Sequence, residues 1–200
     1  MRLLVATGNA HKLAEFGRLL GGDFEVCGFD EAGVPGEGRE PEETGASFAE
    51  NATIKAVAAS RFTELPVIAD DSGICIDALD GGPGVYSARH GGPGLDDRQR
   101  YELVLEQLRE VPDGERGARF RAAIAVARGG ERVLLEEGAV EGRILHEPRG
   151  DGGFGYDPVF FVEELAKGMA EITPAEKDSV SHRARALRAL RERLLQLAGG

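Results

Sequence analysis

Residues 67–73, Val-Ile-Ala-Asp-Asp-Ser-Gly, carry an apolar run straight into two adjacent carboxylates. Burying an ionised carboxylate costs several kcal/mol unless cations and hydrogen-bond donors meet it. What Asp70 and Asp71 face is therefore the first question a fold for this chain has to answer. Strand ends in α/β folds line ligand crevices, which makes the two aspartates candidates for chemistry. We expect Leu65 to Ala69 to be a strand, residues 70–73 a turn, and Ile74 to Leu79 extended chain beyond it.

The rest of the chain reads as an alternation of strands and helices. Arg2 to Ala6 is a strand, Thr7-Gly8-Asn9 a turn, and Ala10 to Leu20 a helix with Leu13, Phe16 and Leu20 on one face. Phe24 to Phe29 reads as a second strand, and residues 30–46 as an acidic loop rich in glycine and proline. A helix follows, opened by Ser47 and Glu50 as a capping box. It has Phe48, Ala52, Ala56 and Ala59 on its apolar face, while Asn51 and Lys55 share another stripe.

Asp97 to Val111 is an amphipathic helix, and Ala118 to Ala127 alternates into a Gly129-Gly130 hairpin with Arg132 to Leu135. Further strands are expected over Gly138 to Leu145 and Val159 to Val162, and a last helix over His182 to Leu197. No repeat or linker interrupts this order, so residues 1–200 are expected to form a single mixed α/β domain.

The net charge of −11 argues against a non-specific grip on nucleic acid. The opening MRLLVATGN is too short an apolar run for a signal peptide, and no stretch approaches ~20 apolar residues. Cys27 and Cys75 lie far apart within apolar stretches, as free thiols do in a reducing compartment. These features lead us to expect a cytoplasmic protein with no membrane segment. Of 24 cationic residues only Lys12, Lys55, Lys167 and Lys177 are lysines, and three of those four fall in the motifs below.

Four segments could carry chemistry. In "ATGNAHK" a strand turns into a helix whose first amides, together with Lys12, would favour an anion, although an ordinary βα turn reads the same way. Asp70 and Asp71 are hard oxygen ligands of the kind that share Mg²⁺ with a phosphate, and the four histidines show no zinc spacing. "GGFGYDP" at 152–158 is either an aromatic face for a base or a tight loop with two core aromatics. In "EKDSVSHRARAL" Lys177, His182 and Arg183 gather at what reads as the start of the last helix. Cations there oppose the helix dipole unless an anion or polar base sits among them.

Taken in order, "TGNAHK", "EETGASFAENATIKA", "ADDSGICIDALDGGPGVYSARHGG", "GGFGYDPVF" and "EKDSVSHRARAL" resemble the pyrophosphatases of noncanonical purine nucleoside triphosphates, the inosine/xanthosine triphosphate (dITP/XTP) pyrophosphatases. The likeness runs from residue 7 to residue 187. It implies an elongated mixed β-sheet flanked by helices, in two lobes around a central cleft, and a homodimer. It also implies Mg²⁺-dependent hydrolysis of ITP, dITP and XTP to the monophosphate and pyrophosphate, which removes deaminated purines from the nucleotide pool.

The resemblance places triphosphate contacts on Thr7, Gly8, Asn9, Lys12, Ser72 and Lys177, with Lys55 joining them as a catalytic residue. It places the metal on Glu43 and Asp71, with Asp71 also the proton acceptor. The base pocket falls on Phe154, Gly155, Tyr156, Asp157, His182 and Arg183. Asp70 would support the cluster or a second metal shell, while Ser72 and Gly73 would turn the chain toward the phosphates. Many relatives read Lys-Asn where this chain has Lys177-Asp178, so the extra charge has to point away from a phosphate. Two other readings stand beside this one: a nucleotide-binding module without hydrolysis, and a pyrophosphatase for pyrimidine or modified nucleotides.

Overall fold

The two aspartates lie inside a strand, not at its end. In a computed structural model that describes residues 1–199, β3 runs unbroken over Val67–Ile76, through the expected turn. Before it come β1 (Arg2–Val5), α1 (Ala10–Leu20), β2 (Glu25–Cys27) and α2 (Phe48–Ser60). After it come α3 (Asp97–Gln107), β4 (Gly117–Arg128), β5 (Glu131–Ile144), β6 (Phe160–Val162), β7 (Lys167–Gly168), α4 (Pro174–Val180) and α5 (His182–Gly199). The strands form one open mixed sheet in the order β2-β1-β3-β4-β5-β6-β7. β1 is parallel to both β2 and β3, while β6 is antiparallel to β5 and β7.

The chain divides into two compact units. Met1–Asp71, Ala122–Gly138 and the chain from His182 onward make the first; Ser72–Arg121 and Ala139–Ser181 make the second. Each has its own apolar core. In the first, Phe16 and Leu20 of α1 and Leu187, Leu190 and Leu194 of α5 pack with Leu3, Val5 and Ile68 of the parallel strands. In the second, Val104 and Leu108 pack with Ile74, Ile76, Phe160 and Val162, and the Phe120 and Phe160 rings tilt together at 4.7 Å. Among the described residues no helix is long and apolar enough to cross a membrane.

Four differences from the sequence pattern have local causes. The residues read as two strands on either side of Glu136-Glu137 are one strand, β5. Gly138 continues it because α5 crosses there: a Cβ would lie 2.2 Å from the His182 carbonyl oxygen. The α3 helix stops at Gln107, short of Val111, and the carbonyls of Leu108 and Val111 turn to the buried Arg116 guanidinium, which also binds those of Ile144 and Leu145. Lys177 belongs to a separate helix, α4, and not to the start of the last one. Thr173 and Glu176 form the capping box of α4, with Pro174 in its first turn. At the start of α2 only half the expected box exists. Ser47 Oγ accepts the Glu50 N–H at 3.2 Å, but Glu50 reaches back to the Ala46 N–H.

Candidate active site

Successive strand residues point to opposite faces, so Asp70 and Asp71 enter different surroundings. Asp70 follows Ile68 onto the face that α1 and α5 cover. Lys12 of α1 meets its Oδ1 at 3.1 Å, and Arg183 Nε of α5 meets Oδ2 at 2.9 Å. Arg183 spends a second nitrogen on Glu15 Oε2 at 3.1 Å, and both partners of that pair are 3 % exposed. Burial works against the charge on Asp70, but Lys12, Arg183 and Lys55 outweigh it and hold the carboxyl well below the usual carboxylate range. Burial lowers the proton affinity of Lys12; Asp70 opposes this only in part, and Arg183 and Lys55 add to the fall.

Asp71 faces α2. Lys55 Nζ donates to Asp71 Oδ1 and to Glu43 Oε1, both at 2.9 Å, so one ammonium bridges two carboxylates. Asn51, one turn earlier on α2, donates its Nδ2 to Asp71 Oδ2 at 3.2 Å. Burial pushes the Asp71 carboxyl upward, Lys55 only partly reverses it, and Glu43 adds to the rise. Burial also opposes the charge on Lys55, but Asp71 and Asp70 win and raise its pKa. The first unit thus gathers Lys12, Lys55 and Arg183 among Glu15, Glu43, Asp70 and Asp71, three cations against four carboxylates.

The turn before α1 is more self-contained than its sequence suggests. Asn9 Oδ1 caps the helix by accepting the His11 and Lys12 N–H groups at 2.9 and 3.1 Å, and Thr7 Oγ1 accepts the Asn9 N–H. The amides expected to be open to an anion are therefore taken up by Asn9. Lys12, the half-buried Thr7 and the exposed Gly8 and Asn9 remain the groups of this turn that a ligand could meet.

In the second unit, Asp157 organises the glycine-rich loop. Its Oδ2 accepts the Phe154 N–H at 2.9 Å and the Lys177 ammonium at 2.5 Å. Gly153 is required twice over: its φ is +76°, and a Cβ there would lie 2.0 Å from Asp157 Oδ2. Gly155, also in the left-handed region, gives its N–H to Asp97 Oδ2 at 2.9 Å. The Lys177 ammonium lies 4.9 Å from the centre of the Phe154 ring. An open cavity of about 470 Å³ beside the loop is lined by Asp97, Tyr101, Asp151, Phe154 and Gly155, among others. The two aromatics divide between the two sequence readings. Phe154 is half-buried, while Tyr156 belongs to the core, its hydroxyl donating to the Ser87 carbonyl at 2.8 Å and its pKa pushed up to about 12 by burial.

Gly73 also has a different cause from the expected turn. A Cβ there would lie 2.3 Å from Ser87 Oγ and 2.5 Å from the Gly84 carbonyl, so the segment after Pro83 packs directly on β3. Ser72 is half-buried beside it, and His182 is buried at the first residue of α5. Of the expected site residues, Lys12, Glu43, Lys55, Asp71 and Arg183 share the cluster of the first unit. Phe154, Gly155, Asp157 and Lys177 share the loop of the second. Asp178, next to Lys177 on a short helix, points about 100° away from it.

Sequence reasoning gave no role to Glu15, Asn51 or Asp97, although it set Asn51 on one stripe with Lys55. The first two had a signal: Glu15 stands three residues after Lys12, and Asn51 four before Lys55, the spacings that share a helix face. Asp97 had none, because its partner is a backbone amide 58 residues away. Among the described residues no group of three or more His, Cys, Asp or Glu is arranged to hold a metal ion unaided.

A sequence profile of the Ham1 family matches residues 3–193. The chain belongs to the Ham1 family. A dITP/XTP pyrophosphatase of Thioalkalivibrio sulfidiphilus is 48 % identical over 197 residues, covering 97 % of this chain and 98 % of that one. One from Bacillus subtilis is 48 % identical over 189 residues, covering 94 % and 93 %. Among solved structures, a HAM1 protein from Coxiella burnetii superposes with a TM-score of 0.85 at 40 % identity, over 98 % of this chain and 99 % of that one. The nucleoside-triphosphatase / dITP/XTP pyrophosphatase of Mycobacterium abscessus does so at 0.75 and 46 % identity, over 95 % and 98 %. The mixed sheet with flanking helices is thus the Ham1 architecture.

Proposed function

We propose that this chain hydrolyses dITP, ITP and XTP to the nucleoside monophosphate and pyrophosphate, clearing deaminated purines from the nucleotide pool. The observation that carries this reading is the Lys55 ammonium held at 2.9 Å from both Glu43 and Asp71, in a chain nearly half identical to dITP/XTP pyrophosphatases. Two carboxylates give an all-oxygen donor set, which suits a hard divalent cation that takes its remaining ligands from water and phosphate, as Mg²⁺ does. Glu43 and Asp71 would hold it, and when bound it supplies charge neutralisation and a polarised water.

Asp71 takes the proton of the attacking water, a task its raised proton affinity favours. The water oxygen bonds to the α-phosphorus while the bond to the bridging oxygen breaks, and pyrophosphate leaves. Lys12 and Lys55 neutralise the departing charge, with Lys177 added on the family resemblance alone; this is electrostatic positioning rather than covalent catalysis. Thr7, Gly8, Asn9 and Ser72 contact the triphosphate.

Purine choice rests on donors to a 6-carbonyl, which adenine lacks. A site built around such a bond discriminates by ~10⁴ or more. The family resemblance assigns these donors to His182 and Arg183, although Arg183 also holds Asp70 and Glu15. The Phe154 and Gly155 amides, committed to Asp157 and Asp97, do not supply them. Phe154 offers a face for the base. The family resemblance further suggests a cytoplasmic homodimer.

Incubation with dITP and with ATP in Mg²⁺, followed by separation of the products, tests the proposal. It expects dIMP and pyrophosphate from dITP and little change in ATP. A nucleoside diphosphate with orthophosphate, or bound dITP recovered intact, would overturn it.

A further inference from the structure

The proposed reaction gives Asn51 no task, yet this side chain is completely buried and both ends of its amide are committed. Its Oδ1 accepts the Gly45 N–H at 2.8 Å, and its Nδ2 donates to Asp71 Oδ2 at 3.2 Å. A main-chain N–H can only donate and an ionised carboxylate can only accept, so the amide has a single orientation.

Gly45 stands two residues after Glu43, and Lys55 stands one helical turn after Asn51 on the same face of α2. The contacts therefore close on themselves: Glu43 to Lys55, Lys55 to Asp71, Asp71 to Asn51, Asn51 to Gly45, and back along the chain to Glu43. We infer that Asn51 is a positioning residue that locks the Asp71 carboxylate and the Glu43-bearing loop into one register. The inference rests on the roles proposed above for Glu43 and Asp71.

The chemistry of the position admits few substitutes. Aspartate of the same shape has no donor for Asp71. Glutamine is one carbon too long for a fully buried pocket, and serine is too short to reach both partners. The loop also packs directly on the amide: a Cβ at Gly45 would lie 2.6 Å from Asn51 Oδ1 and 2.7 Å from Glu50 Cβ. Glycine at 45 and asparagine at 51 are thus one device, seen from its two sides.

Two variants and one cycle test it. Asn51→Asp keeps the shape and the Gly45 bond but sets a carboxylate against Asp71. Gly45→Ala leaves Asn51 in place and displaces the loop. For both we expect kcat on dITP at saturating Mg²⁺ to fall about 10-fold to 100-fold, the scale of a misplaced reacting group. KM should stay within about threefold, since the lost interaction acts in the transition state.

Thermal unfolding of nucleotide-free Asn51→Ala, Asp71→Ala and the double variant should be non-additive, the second change costing less after the first. If Asn51→Asp fails to fold, Gly45→Ala and the unfolding cycle decide the matter. Parental kcat in the folded variants, or additive unfolding, overturns the inference. A parent chain that fails to cleave dITP overturns the proposed function instead, and the unfolding cycle still judges whether Asn51 holds Asp71.

Discussion

Asp71→Asn separates catalysis from folding at the residue on which the mechanism turns. Asparagine keeps the shape and one carbonyl oxygen, so it can still accept from Asn51 or from Lys55. Lys55 also retains Glu43 at 2.9 Å, so its ammonium is not left without a carboxylate. The burial that pushes the Asp71 carboxyl upward is relieved at the same time. One hydrogen bond to a charged group is lost, worth about 1.5–3 kcal/mol, and the relieved desolvation leaves a net cost of about 1 kcal/mol. For a chain of this size that is a fall in Tm of about 2–4 °C. The rate should fall far more, because removing a proton acceptor alone costs about 10²–10⁴-fold and the same change removes a metal oxygen. Pyrophosphate release from dITP at saturating Mg²⁺, measured beside a thermal melt, reads both effects. A kcat within a few-fold of the parent would refute the assignment. So would a fall in Tm large enough to leave the variant unfolded during the assay.

Three more outcomes follow from the same geometry. Lys55→Met removes the cation that restrains the Asp71 pKa, leaving burial and Glu43 to raise it further, so the acid limb of the kcat/KM profile should move to higher pH; a limb that stays in place contradicts this. Asp70 has a depressed folded-state pKa, so its stabilisation is complete above the unfolded value of 3.8 and fades as pH falls below it. Asp70→Asn should cost about 3–5 kcal/mol in urea unfolding at pH 7, with a smaller gap from the parent at about pH 3; an equal gap at both would exclude the ion pairs as its source. Phe154→Ala should raise KM for dITP about tenfold with kcat little changed, given ~1–3 kcal/mol for a base stacked on an aromatic ring; an unchanged KM removes Phe154 from the base contact.

Much of this was legible in the residues. The α1 and α2 helices, their apolar faces and the hairpin at Gly129-Gly130 follow from periodicity and turn chemistry, and β1 and β2 follow within two residues. What misled was local punctuation in long strands. Asp-Asp-Ser-Gly has the composition of a turn, but β3 continues because cations from helices on both faces meet the two carboxylates, and no local pattern shows partners 16 to 113 residues away. Gly73 and Gly138 likewise read as breaks, although each is glycine because another segment packs against it. Asp71, Lys55 and Lys177, to which the proposal gives roles in the reaction, stand out through the family resemblance. Asn51 and Glu15 share helix faces with Lys55 and Lys12, but their partners, like that of Asp97, are set by the folded chain. The α4 helix did announce itself, through Thr173-Pro174 and Glu176, and was passed over because Lys177 lies so close to His182-Arg183.

The central claim is that water attacks the α-phosphorus under the control of Asp71, and hydrolysis of dITP in ¹⁸O-enriched water tests it most directly. The account predicts the label in dIMP and none in pyrophosphate. Label in pyrophosphate would place the attack on the β-phosphorus, and labelled orthophosphate would place it on the γ-phosphorus. Either result would contradict the mechanism.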